Sequence, residues 1–176
     1  MSKWTIAALC ALIFLTIGCG NGTQVVGQPT TPPRTITHPT ITPTPANDEE
    51  AVRQLINAEC EAVVQQDIDR LKGIWASDGV VTDANHTPDN ATDDVTWKNW
   101  DAIQDRYVNI VFPSNPTFCE HPNTQVTMGA DKQTATATSG VNIGTTKATN
   151  SNKWTFKKTD AGWKITTLTY NLDQQK

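Results

Sequence analysis

The chain has 176 residues, of which 37% are hydrophobic, 7% aromatic and 18% charged, and its net charge is −4. That length is short for two ordinary domains and suits one domain with additional segments. The acidic balance excludes a nucleic-acid partner held by a basic surface.

The chain opens with an address. Met1-Ser2-Lys3 supplies one positive charge, and an apolar run from Trp4 to Ile17 is broken only by Thr5 and Thr16. A membrane-spanning helix needs about 20 apolar residues, so this run fits a secretory signal better. Leu15-Thr16-Ile17-Gly18-Cys19 resembles the bacterial lipobox, with Thr16 where leucine is usual. Residues 1–18 are therefore read as a lipoprotein signal peptide and Cys19 as the lipidated first residue. An ordinary signal peptide and an uncleaved anchor are the competing readings. Removing residues 1–18 leaves 13 basic and 18 acidic residues. So acidic a chain is held at an anionic membrane by its acyl chains and not by charge. The expected location is the bacterial cell envelope, lipid-anchored and extracytoplasmic.

A tether follows. Of the 17 residues from Pro29 to Pro45, 13 are Pro or Thr. Such a segment cannot bury enough apolar surface to offset its ordering entropy, and proline biases it to polyproline II. Residues 19–46 are read as a disordered spacer. Pro29-Thr30-Thr31-Pro32 has P-x-x-P spacing, the rival reading as a recognition motif, and His38 is idle within the tether.

Residues 47–176 read as the globular unit. Asn47 with Glu50 writes a helix start, and Val52, Leu55, Ile56, Cys60 and Val63 share one face interrupted by Glu59. Asp67 caps a short helix through Ile68, Leu71, Ile74 and Trp75, closed by a turn at Ser77-Asp78-Gly79. Val80 to Asp83 is a short strand, and a polar loop runs from Asn85 to Asp94. Trp97 to Phe112 is helical for most of its length and stops at Pro113. The period then changes to two. Thr117 to Met128, Gln133 to Ile143, Lys153 to Lys158 and Trp163 to Leu172 read as strands, with turns at Gly129-Ala130-Asp131 and Asp160-Ala161-Gly162. Helices followed by antiparallel strands mean α+β.

Several strings in this order resemble one superfamily. They are Asp67-Ile68-Asp69-Arg70-Leu71 with Trp75-Ala76-Ser77-Asp78-Gly79-Val80-Val81, Trp97-Lys98-Asn99-Trp100-Asp101-Ala102-Ile103 with Arg106-Tyr107, and Trp154-Thr155-Phe156 with Asp160-Ala161-Gly162-Trp163-Lys164-Ile165. Over residues 48–172 the chain is similar to the nuclear transport factor 2-like superfamily, above all its SnoaL-like members. The family has Gly where Asn99 stands. The resemblance implies a cystatin-like, cone-shaped fold: a curved antiparallel sheet wrapped around three helices. It also implies a ligand pocket at the cone's mouth and homodimers formed through the sheet. Family enzymes include isomerases, dehydratases, cyclases and epoxide hydrolases, which use an acid/base pair in an apolar cavity.

A carboxylate in a dry pocket exchanges protons near neutral pH, and an adjacent Tyr or His can donate to a developing oxyanion. Candidate catalytic residues are Asp83, Tyr107 and His121. Glu59, interrupting an apolar face, stands where a cavity carboxylate would sit, and His86 reads as an exposed loop residue. Trp75, Trp100, Trp154, Phe156 and Tyr170 are candidate pocket lining. The three His residues have no metal-ligand spacing, and neither P-loop, dinucleotide fingerprint nor nucleophile elbow occurs, so no cofactor or metal is expected. Cys60 and Cys119 are a candidate disulfide in an oxidising compartment, against a reading as two buried thiols. The leading functional reading is a membrane-anchored domain that binds a small apolar molecule in its cone. The alternatives are a SnoaL-like acid/base enzyme and an envelope assembly module. The first two are separated by whether an ionisable pair converges in the pocket.

Overall fold

The computed structural model describes residues 44–174. The expected signal peptide, Cys19, His38 and the tether up to residue 43 lie outside the described residues. Among the described residues no helix is long and apolar enough to cross a membrane.

Helix α1 (Asp48–Gln65) starts where the Asn47 side chain accepts the Glu50 backbone N–H at 2.9 Å, with Asp48, Glu49 and Glu50 in the first turn. It ends at Gln66, whose left-handed backbone (φ 56°) turns its N–H back to the Ala62 and Val63 carbonyls. Helix α2 (Ile68–Ile74) is capped by the Asp67 carboxylate, which accepts the Arg70 N–H at 2.9 Å.

Strand β1 (Trp75–Asp83) begins earlier than the sequence suggests. Trp75 caps α2 and opens the strand, and the expected turn at Ser77-Asp78-Gly79 is a bulge within it: five steps from Trp75 to Val80 stand opposite only two from Ile165 to Thr167, so the chain folds out between them. Gly79 permits this, because a Cβ there would meet the Trp75 ring at 2.9 Å and the Ala76 carbonyl at 3.0 Å. After the polar loop, β2 (Val95–Lys98) pairs antiparallel with β1, so Trp97, opposite Val81, lies in a strand and not in a helix. Helix α3 (Asn99–Arg106) then starts at Asn99, whose φ of 70° would suit a glycine. Its side chain accepts the Ala102 N–H at 3.2 Å, so asparagine both tolerates the left-handed backbone and caps the helix. A π-helical turn (Tyr107–Val111) and a 3-10 turn (Phe112–Ser114) carry the chain past Pro113.

The single strand expected over Thr117–Met128 is two short strands, β3 (Cys119–Glu120) and β4 (Gln125–Met128). His121 and Pro122 separate them, because proline has no N–H to extend the ladder. Both pair antiparallel with β5 (Thr134–Ile143) on either side of its bulge at Ser139–Val141. Strands β6 (Thr146–Thr159) and β7 (Gly162–Tyr170) complete a seven-stranded curved sheet in the order β2-β1-β7-β6-β5-β3, with β4 also on β5. All pairs are antiparallel except β1–β7, which the long excursion between them allows to be parallel.

Helix α1 packs against β3, β4 and β7, and α3 packs against β1. Val52, Ile56 and Val63 of α1 meet Trp154, Phe156, Ile165 and Leu168 of the sheet in one buried cluster. A polar latch closes its edge. The Asp48 carboxylate accepts from Lys158 Nζ at 2.8 Å and from Trp163 Nε1 at 2.9 Å, tying α1 to the β6–β7 hairpin. The Lys158 bond first, then the Trp163 bond, hold this carboxyl below its ordinary value. A lowered folded value stabilises above the ordinary carboxylate range and is lost as pH falls through it. Asp48→Asn is therefore expected to lower the thermal midpoint at neutral pH, with the gap to the parent chain closing only as pH falls below the ordinary carboxylate range. Circular-dichroism melts across pH check this, and a constant gap would contradict it.

Candidate active site

Glu59 sits on the apolar face of α1, 6% exposed, with Cys60 and Val63 beside it. A buried carboxylate needs donors. One comes from Tyr107, at the start of the π-helical turn and fully buried, whose hydroxyl donates to Glu59 Oε1 at 2.7 Å. Trp75 Nε1 in turn donates to the Tyr107 oxygen at 3.2 Å. The relay Trp75→Tyr107→Glu59 fixes the carboxylate and leaves Oε2 free of it. Burial first, then the charge of Glu59, push the Tyr107 phenol well above its ordinary value, so it keeps its proton as a permanent donor.

Oε2 of Glu59 faces His121 Nε2 at 3.6 Å. The His121 side chain is 4% exposed, and its ring meets the Trp154 ring edge-on at 5.1 Å. Its other nitrogen, Nδ1, lies 3.2 Å from the Gly140 carbonyl. The Asn152 amide nitrogen competes from 3.4 Å. The carbonyl is nearer and can only accept, which assigns a proton to Nδ1 and leaves Nε2 directed at Glu59. Gly140 makes this approach possible. A Cβ there would meet the Ala148 carbonyl at 2.8 Å and the Pro122 ring at 3.1 Å, and its N–H donates to the Pro122 carbonyl at 2.9 Å. The β5 bulge and the His121-Pro122 corner thus fit one another.

A disulfide ties the two halves. Cys60 and Cys119 are bonded, with their Cα atoms 5.3 Å apart. Cys60 follows Glu59, and Cys119 precedes His121 by two residues. The bridge therefore holds β3 against α1 at the point where the pair meets.

This wall closes a cavity of about 300 Å³. Val63, Ile110, Val111, Val141, Ile143 and Leu168 supply apolar lining, while Glu59, Arg106, Tyr107, His121, Asn152 and Tyr170 are polar. Three buried atoms of these residues carry no hydrogen bond: His121 Nε2, Arg106 Nε and Asn152 Oδ1. Buried polar atoms are usually satisfied, so these three mark a polar wall that a ligand or ordered water in the cavity would satisfy. The Arg106 guanidinium lies over the rings of Tyr170 (4.7 Å), Trp97 (5.2 Å) and Tyr107 (5.7 Å), which hold it in place.

Burial raises the Tyr170 phenol, opposed by Arg106 and reinforced by Asp83. The chain has 2 tyrosines, and both are raised. A raised folded value stabilises below the unfolded value, near 10, and is lost as pH rises through the folded one. Alkaline titration followed at the tyrosinate absorption is therefore expected to show no ionisation near pH 10 until the chain unfolds. A reversible step of two phenols near pH 10 in the folded chain would contradict this.

The structure brings together Tyr107, His121 and Tyr170 with Glu59, the residue that interrupts the apolar face of α1. Asp83 stands apart from the cavity lining: its carboxylate accepts from the Asn85 N–H at 2.9 Å and from Asn171 Nδ2 at 2.8 Å, and it bears on the site only through Tyr170. Trp154 and Phe156 are core residues behind the wall, 0% and 1% exposed. Trp75 reaches the site from behind, through Tyr107. With Trp100 it borders a separate depression that also holds Lys72, Ser77, Asn99 and Asp101. His86 lies 3.1 Å from the Asp173 carbonyl, away from the cavity. Sequence reasoning missed Arg106 and Asn152 as site residues. The only signal for Arg106 was its place beside Tyr107, and Asn152 gave none.

Residues 44–169 match the family model described as a SnoaL-like domain. No curated protein matches the chain. An NTF2-like protein with a cystatin-like fold from Novosphingobium aromaticivorans is 25% identical, covers 69% of this chain and 79% of its own, and superposes with a TM-score of 0.50. A cystatin-like fold protein from Burkholderia xenovorans is 17% identical, with 72% and 92% covered and a TM-score of 0.52. A hexachlorocyclohexane dehydrochlorinase from Novosphingobium barchaimii is also 17% identical, with 68% and 82% covered and a TM-score of 0.51. The last two likenesses speak for the fold alone. The family match spans most of the chain and coincides with the helices, the curved sheet and the cavity, and the chain belongs to the SnoaL-like domain family.

Proposed function

We propose that this domain is a proton-transfer enzyme of the isomerase, cyclase or dehydratase type, acting on a small, largely apolar molecule in its cavity. The carrying observation is the Glu59–His121 pair, 3.6 Å apart in the cavity wall. In this reading His121 Nε2 takes a proton from substrate carbon. The imidazolium that forms lies against the Glu59 carboxylate, which Tyr107 and Trp75 hold in place. Negative charge developing on the substrate is met by Arg106, which lines the same cavity. The apolar lining excludes water and strengthens both interactions. A dehydrochlorinase on the same fold is compatible with base-initiated elimination.

The same proposal places the domain at the cell envelope, held by lipid on Cys19. The signal-like residues 1–18 support this, as does a disulfide that suits an oxidising compartment.

The test is turnover of 5-nitrobenzisoxazole, whose ring C–H is removed by a base as its N–O bond breaks to give a coloured cyanophenolate. The full chain is expected to turn it over saturably and faster than free imidazole at equal concentration. Saturable binding without turnover would overturn the enzyme reading in favour of a small-molecule-binding module.

A further inference from the structure

Two short strings meet at the disulfide: Glu59-Cys60 on α1, and Cys119-Glu120-His121 leaving β3. Four metal-ligand atoms, one each from Glu59, Cys60, Cys119 and His121, lie within 4.8 Å of one another. We propose that reduction of the Cys60–Cys119 bond converts this cluster into a binding site for one zinc ion.

The geometry needs little change. Tetrahedral zinc with nitrogen and oxygen donors near 2.0 Å sets them about 3.3 Å apart, and sulfurs near 2.3 Å sit about 3.8 Å apart. The Glu59 Oε2 to His121 Nε2 separation is already 3.6 Å. The sulfurs, freed from their bond, need only to move apart. The supporting contacts are also those of a metal site. Metal-bound histidine typically donates its second ring N–H to a carbonyl, and His121 Nδ1 faces the Gly140 carbonyl at 3.2 Å. A ligating carboxylate is typically held by a hydrogen bond, and Glu59 Oε1 accepts from Tyr107. His121 Nε2 is buried, faces Glu59 and carries no hydrogen bond, so it points into the cluster with its lone pair unused. Two thiolates, an imidazole and a carboxylate select zinc over magnesium or calcium.

Reductant can reach the bond. Cys60 and Cys119 both line a surface groove of about 390 Å³ on the side of the bridge away from Glu59. The reductant is a tertiary phosphine. It gives two electrons to the disulfide and takes the oxygen of a water to become the phosphine oxide. The water's two protons go to the two sulfurs, and zinc displaces them on binding. Cavity chemistry and metal binding then exclude each other, because both use Glu59 and His121.

The test uses the full chain, reduced with a phosphine and titrated with Co²⁺ and then Zn²⁺. The expected result is one Co²⁺ per chain with a thiolate-to-metal absorption band and tetrahedral visible bands, displaced by Zn²⁺, and none in the oxidised chain. The Cys60→Ser/Cys119→Ser chain, which keeps Cys10 and Cys19, is expected to lack the band. His121→Gln is expected to lose the tetrahedral spectrum, and Tyr107→Phe to weaken Zn²⁺ binding about 10- to 100-fold. If reduction unfolds the chain, Zn²⁺ is expected to restore its near-ultraviolet dichroism, because the metal binds the folded form. The proposal is overturned if the band also forms in the double serine chain or survives unchanged in His121→Gln. Failure of Zn²⁺ either to bind the folded reduced chain or to refold the unfolded one overturns it as well.

Discussion

Replacing His121 by glutamine is expected to lower turnover of 5-nitrobenzisoxazole by about 10²- to 10⁴-fold, the range a positioned general base contributes. The loss falls in kcat more than in KM, because His121 meets the probe's proton and not its bulk. Glutamine places its amide near the Nε2 position and gives up the Nδ1 contact with the Gly140 carbonyl, so near-ultraviolet dichroism has to show that the His121-Pro122 corner keeps its shape. Replacing Glu59 by glutamine is expected to cost a similar factor for another reason. The amide oxygen still accepts from Tyr107, but no carboxylate remains 3.6 Å from Nε2 to stabilise the imidazolium. Initial rates and near-ultraviolet dichroism on each variant check the pair. Turnover within twofold of the parent in both variants would remove them from the chemistry.

The second large effect concerns stability. The Cys60–Cys119 bond closes a separation of 59 residues. In the chain-entropy description a loop of that size is worth about 4 kcal/mol. The Cys60→Ala/Cys119→Ala chain is therefore expected to unfold at markedly lower urea concentration, with a free energy smaller by about that amount. It is also expected to lose turnover, because the bridge holds β3 and hence His121 against α1. A urea midpoint within error of the parent would contradict the first expectation. Undiminished turnover would show that packing alone positions His121.

Much of the fold was legible because local chemistry and tertiary structure agree. Asn47 caps α1, Asp67 caps α2, and Asp160-Ala161-Gly162 turns the last hairpin with Gly162 at φ 97°. Where the reading departed from the structure, a tertiary contact had overruled a local signal. Ser77-Asp78-Gly79 has turn composition and does fold out of line, yet pairing of Trp75 and Val80 with β7 on either side makes it a bulge within β1, with Gly79 close to the Trp75 ring. Trp97 belongs to an apolar helical pattern, yet its neighbours pair with β1. Thr117–Met128 alternates like a single strand, yet Pro122 breaks it against the bulge of β5.

The site was legible in part. Glu59 stood out because a carboxylate on an apolar helix face needs a partner, and Tyr107 and His121 stood out as donors. Their convergence could not be read, because Tyr107 and Glu59 are 48 residues apart and meet only in the folded chain, where the π-helical turn brings the phenol to the buried face of α1. The same long-range geometry takes Asp83 out of the cavity. It ends β1 as expected, but its Oδ1 is turned to the asparagines of the neighbouring turns.

The central claim is that Glu59 and His121 act as one unit on a molecule in the cavity. A double-mutant cycle on 5-nitrobenzisoxazole turnover tests it most directly, using Glu59→Gln, His121→Gln and the two combined. Residues that work together are strongly non-additive, so the combined variant is expected to lose no more than the worse single variant. Losses that multiply, with each substitution taking its full factor in the other's presence, would show two independent residues and contradict the account.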